Sequence, residues 1–103
     1  MEGEREMTTR VRDRYGNQIE FIDERWRHIV TYHLELEDFR AEVLETIRKG
    51  RRRQDTMEPE KYKYIRKFVD LPLDYTHLVT MVKMVRNNFA LTAYGIEKKG
   101  RSR

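Results

Sequence analysis

A chain of 103 residues without cysteine has room for one domain and one modest core, and it excludes a disulfide framework and a thiolate metal site. Its longest apolar runs are only a few residues, too short for a membrane-spanning helix. The net charge of +4 is gathered in clusters, which leaves two readings open: a surface for a polyanion, or a solvated surface with a basic tail.

Residues Met1 to Met7 are charged, lack the apolar stretch of a signal peptide and are expected to fray. With the missing cysteines, this fits a cytoplasmic protein. Thr8 to Phe21 reads as a hairpin turning near Tyr15-Gly16-Asn17. Its faces are poorly apolar, so it is expected at an edge. Asp23 to Tyr32 reads as a helix with Asp23 as N-cap, because Trp26, Ile29, Val30 and His33 recur at helical spacing. A second helix is predicted from about Leu36 to Lys49, with the stripe Leu36, Phe39, Val43, Leu44 and Ile47. Glu35, Glu37 and Asp38 suit its positive start, Arg48 and Lys49 its negative end, and Gly50 the position just beyond.

After Gly50 the period changes to two. Short strands are predicted at Arg52 to Thr56 and Tyr62 to Phe68, with a turn at Glu58-Pro59. A loop carrying Pro72 leads to a long strand from about Tyr75 to Val85, and the last strand spans 89–96. The expected class is α+β: an N-terminal hairpin, two helices, then an antiparallel four-stranded meander. It forms one domain over 8–96 with a basic tail over 97–103. If Asn87-Asn88 makes a type I′ turn, Lys83 stands opposite Thr92, Val82 opposite Ala93 and Met84 opposite Leu91. Leu78, Val82, Met84, Leu91 and Ala93 then face the core. Met81, Lys83, Thr92 and Tyr94 share the other face, away from the helices.

The basic residues fall in three groups: Arg48 to Arg53, Lys61 to Lys67, and Lys98 onward. Tyr62 and Tyr64 are interleaved with the second. Cations mixed with aromatics suit a phosphate backbone and its bases. The candidate RNA contacts are Arg52, Arg53, Lys61, Tyr62, Lys63, Tyr64, Lys98 and Lys99.

His28 and His33 would lie about 140° apart on a straight helix, so they do not suit one metal ion. No nucleophile elbow, P-loop or dinucleotide glycine pattern is present. The residues could support metal-free RNA cleavage, which needs a base, a cation for the phosphorane and hydrogen-bond donors. The candidates are His28, His33, Arg66, Lys83, Thr92 and Tyr94, should they converge on the open sheet face. His33 also fits a core position, and His28 an exposed helix position.

Five stretches in order carry a resemblance: Trp26 to His33, Val43 to Ile47, Tyr62 to Arg66, Val79 to Lys83, and Leu91-Thr92-Ala93-Tyr94. Together they resemble the phage-associated branch of the barnase/EndoU/colicin/RelE-like nuclease superfamily. Leu34 and Gly50 stand where relatives tend to carry proline. The resemblance covers roughly 22–96 and implies two helices followed by a four-stranded antiparallel sheet. It implies a site built from His28 or His33, Arg66 and Thr92, with Tyr94 continuing the motif. The expected function is a small, metal-independent, toxin-like endoribonuclease without a cofactor, acting on RNA such as ribosome-bound mRNA or tRNA and held by an antitoxin protein. The alternatives are a non-catalytic RNA-binding domain of the same fold and a protein-interaction module, which should expose an apolar patch.

Overall fold

The computed structural model describes residues 7–98. The expectations for 1–6 and 99–103, including Lys99 as an RNA contact, lie outside the described residues. The elements follow in the order β1 (Thr8–Arg12), β2 (Gln18–Ile22), α1 (Asp23–Tyr32), α2 (Arg40–Lys49), β3 (Arg51–Gln54), β4 (Lys61–Lys67), β5 (His77–Lys83) and β6 (Phe89–Ile96). A three-residue 3-10 turn, Leu34–Leu36, joins the helices.

The strands form one six-stranded sheet in the order β1-β2-β6-β5-β4-β3. This corrects the predicted four-stranded antiparallel meander. The N-terminal hairpin joins the sheet because β2 lies parallel to β6, with Glu20 opposite Phe89. The Glu20 N–H donates to the Asn88 carbonyl at 2.9 Å. The hairpin looks polar because only one face of each strand has to be apolar. That face carries Val11, Ile19 and Phe21, all at or near zero exposure. β1 and β3 are the sheet edges, and both are rich in arginine, which discourages pairing with another chain.

Both helices cover the same face. Ile29 of α1 and Val43, Leu44, Thr46 and Ile47 of α2 are buried. Each large apolar side chain taken fully out of water contributes about 1.5–3 kcal/mol. Asp23 is not the N-cap of α1: Ile22 holds that position, and Asp23 with Glu24 supplies negative charge to the first turn. The helix stops at His33, where the backbone turns to φ −135°, ψ 67°.

The second helix begins later than predicted. Leu36 is buried within the 3-10 turn, and Phe39 is the N-cap residue of α2. Gly50 does not take the left-handed conformation usual after a helix; φ −71°, ψ 160° is extended, so α2 runs directly into β3. Glycine is needed there for close approach. A Cβ would lie 2.4 Å from the Thr46 carbonyl oxygen and 2.9 Å from that of Ile65.

The β5–β6 register also differs from prediction. Thr92 pairs with Met81, and Lys83 pairs with Phe89, with a bulge between the two pairings. Asn87 and Asn88 do not have the positive φ of a type I′ turn. Asn88 instead ties β2 to the sheet, its Nδ2 donating to the Gln18 carbonyl at 3.1 Å. Relative to prediction Thr92 has slipped by two residues, so its side chain keeps the same face as Met81 and Lys83.

Candidate nucleic-acid interface

Alternation along the strands places Arg51, Arg53, Lys63, Ile65, Lys67, His77, Val79, Met81, Thr92, Tyr94 and Ile96 on the sheet face without helices. Val79 is only 2 % exposed there, although it lies outside the cluster of side chains packed against the helices. The middle of this face is therefore apolar, with cations around it.

At one end of the sheet, where α2 passes through Gly50 into β3, a groove of about 580 Å³ opens. Of its eleven lining residues, eight are lysine or arginine and none is acidic. Arg51 and Arg53 come from β3, Lys67 from β4, Lys49 from the end of α2, and Lys98 from the segment after β6. Arg14 reaches in from the β1–β2 turn and donates to the Lys49 carbonyl at 3.4 Å.

His77 is the histidine that lines this groove. It is half-buried at the start of β5, opposite Lys67 on β4 and Ile96 on β6. Its Nδ1 lies 2.7 Å from the Thr76 hydroxyl. Burial first, then the charges of Lys98 and Lys67, hold its pKa below the ordinary value. The sequence reading did not single out His77. The available signal was a histidine opening a β-branched strand with basic segments on either side in sequence.

The predicted catalytic residues are distributed over the molecule. His28 is exposed on α1, its ring centroid 4.9 Å from that of Tyr32. His33 and Tyr94 do meet, with ring centroids 6.4 Å apart. His33 Nδ1 also lies 3.7 Å from Glu35, whose carboxylate accepts the Tyr75 hydroxyl at 2.7 Å. Burial alone would raise the Glu35 pKa, but the Tyr75 hydrogen bond and the His33 charge bring it below the usual range. Arg66 belongs to the helix-covered face, with its guanidinium 5.2 Å from the Phe68 ring centroid and Glu42 and Glu45 nearby. Thr92 and Lys83 are on the open face, and Lys83 lies 3.8 Å from Glu60.

The predicted RNA contacts divide in the same way. Arg53, Lys61 and Lys63 are on the open face, with Lys61 held 3.0 Å from Glu58. Lys98 is in the groove. Tyr64 is fully buried and cannot stack on a base. Its hydroxyl donates to Asp13. Burial, then this hydrogen bond, pushes the Tyr64 pKa up. Burial would raise Asp13 as well, but hydrogen bonds from Tyr64, Asn17 and Tyr15 outweigh it and hold its carboxyl below the ordinary range. Arg52 is clamped between Tyr15 and Tyr62, 4.4 and 4.7 Å from their ring centroids. Arg52, itself part of the groove lining, and Tyr62 therefore brace the sheet edge there.

Among the described residues, no three His, Asp or Glu side chains gather as a metal site would require. No helix among them is long and apolar enough to cross a membrane. Compared with models of protein families, with curated proteins and with solved structures, the chain shows no match.

Proposed function

We propose that this protein binds single-stranded RNA, with the phosphate backbone in the basic groove and bases against the open sheet face at Tyr94. The observation that carries this reading is the groove itself, eight cations with no acidic residue among its lining, of which Lys49 and Arg52 also pair with Glu45 and Asp13 outside it. Like charges gathered this densely oppose compaction, and an anionic ligand relieves that cost. Ile65 and Tyr94, half-buried beside the covered Val79, offer bases a surface that a paired duplex could not use.

A second reading, metal-independent RNA cleavage, is favoured by the approach of His33, at the end of α1, to Tyr94. It requires RNA binding first.

Titrating the protein with a single-stranded RNA at rising salt tests the binding. Four to six phosphate contacts give a slope of log affinity against log salt of roughly −3 to −4. Affinity independent of salt, or no binding at low salt, overturns the proposal.

A further inference from the structure

His77 is the imidazole at the groove, and a short contact from Thr76 holds one end of its ring. The Thr76 hydroxyl oxygen accepts the Lys98 backbone N–H at 2.8 Å. It donates its one proton towards the Ile96 carbonyl at 3.5 Å. With its proton on that carbonyl, the hydroxyl accepts from His77 Nδ1 at 2.7 Å and Nδ1 carries the ring proton; in the other tautomer the hydroxyl donates to Nδ1. In the first of these tautomers Nε2 carries the lone pair. A nitrogen oriented in this way by a hydrogen bond at the other end of its ring is the arrangement that general-base catalysis uses.

The charges around the ring suit the same chemistry. Lys67 stands opposite on β4, Lys98 approaches from beyond β6, and Arg51 and Arg53 line the same groove from β3. Burial, then the charges of Lys98 and Lys67, lowers the imidazole pKa and so favours its neutral form. The cations also stand where negative charge on a bound phosphate would be stabilised.

We propose that His77 is the general base of an RNA-cleaving site in the basic groove, which rests on the RNA-binding reading. Nε2 takes the proton of a ribose 2′-hydroxyl as that oxygen forms a bond to the adjacent phosphorus. The bond from phosphorus to the 5′ oxygen breaks, and the leaving oxygen takes a proton from water. The products are a 2′,3′-cyclic phosphate and a 5′-hydroxyl, and the imidazolium returns its proton to solvent. Thr76 is a positioning residue that holds the reactive tautomer.

The test uses the full chain and a short single-stranded oligoribonucleotide in excess EDTA, beside a 2′-O-methyl copy that can be bound but not cut. The expected result is fragments with 2′,3′-cyclic ends from the first and intact copy from the second. His77→Gln should slow cleavage about a hundredfold or more while still binding the 2′-O-methyl copy. Thr76→Val should lower kcat with little change in KM. The acid limb of kcat/KM in the parent should fall below 6.5, the ordinary histidine value. Thermal unfolding of both variants checks that they fold; should His77→Gln fail to fold, the kcat–KM split of Thr76→Val and the acid limb decide. An intact oligoribonucleotide beside a bound 2′-O-methyl copy overturns the cleavage site and leaves the binding reading standing. Binding of neither strand overturns both. Cleavage by folded His77→Gln at the parental rate removes His77 from the role.

Discussion

Tyr64, on the fourth strand, donates its hydroxyl to the carboxylate of Asp13 in the first turn of the chain. Both residues are buried, and Asp13 also accepts the backbone N–H groups of Tyr15 and Asn17. This bond joins the N-terminal hairpin to the strand neighbouring the opposite edge. Tyr64→Phe deletes the donor and leaves a buried carboxylate with one partner fewer, at a cost of about 1.5–3 kcal/mol. Urea unfolding of parent and variant measures it, and a change near zero would show that the bond adds nothing.

The same cluster predicts how stability depends on pH. The Asp13 pKa is held below its ordinary 3.8, so the unfolded chain binds that proton more readily. The stabilisation is present above 3.8 and is lost as pH falls through the lower folded value. His77 works in the same direction over a higher window, because its folded pKa lies below 6.5. Its contribution is full above 6.5 and falls away as the medium becomes more acidic. Melting temperature should therefore be flat near neutrality, decline first below 6.5 and again below 4.5, where Glu35 and then Asp13 lose their stabilising charge. His77→Gln should remove the first decline alone.

Gly50→Ala tests the passage from α2 into β3. The added methyl would meet two backbone oxygens, which cannot rotate aside as a side chain can. The expected loss is about 3 kcal/mol, the upper end for overpacking. A variant as stable as the parent in chemical denaturation would mean that helix and strand can separate freely.

The groove cations should act additively on salt dependence. Arg51→Ala, Arg53→Ala and Lys67→Ala together should flatten the RNA-binding slope by about 2, from roughly 0.7 per lost phosphate contact. Arg10→Ala, on the far edge and paired with Glu20 at 3.6 Å, should leave the slope unchanged. Equal effects from both would place the RNA elsewhere.

The parts of the fold legible beforehand are those governed by short-range spacing. The span of α1, Asp23–Tyr32, and of β6, Phe89–Ile96, follow from apolar residues recurring at helical or alternating intervals. Sharing of the open face by Met81, Lys83, Thr92 and Tyr94 follows from alternation alone, which is why it survives the error in register. The start of α2 was obscured because Leu36 and Phe39 fit the helical stripe while belonging to the turn before it. Tyr64 reads as one more aromatic among cations, and nothing local distinguishes it from Tyr62. Only its distant partner Asp13 draws it inside.

The sequence by itself determined the α+β class, the shared open face of Met81, Lys83, Thr92 and Tyr94 and the clustering of positive charge, since each depends on neighbours a few residues apart; Leu91, expected in the core, is displaced from it by the bulge, and Ala90 is buried instead. Tertiary structure decided the sheet order, the addition of the N-terminal hairpin beside β6, and the meeting of cations from α2, β3, β4 and the β6 end around His77. The physical reason is that strand edges are chemically alike, each offering the same N–H and C=O groups. Which edges join depends on the total burial and hydrogen bonding of the packed chain, with Glu20 on Asn88 and Tyr64 on Asp13 among the bonds that distinguish this arrangement from its alternatives.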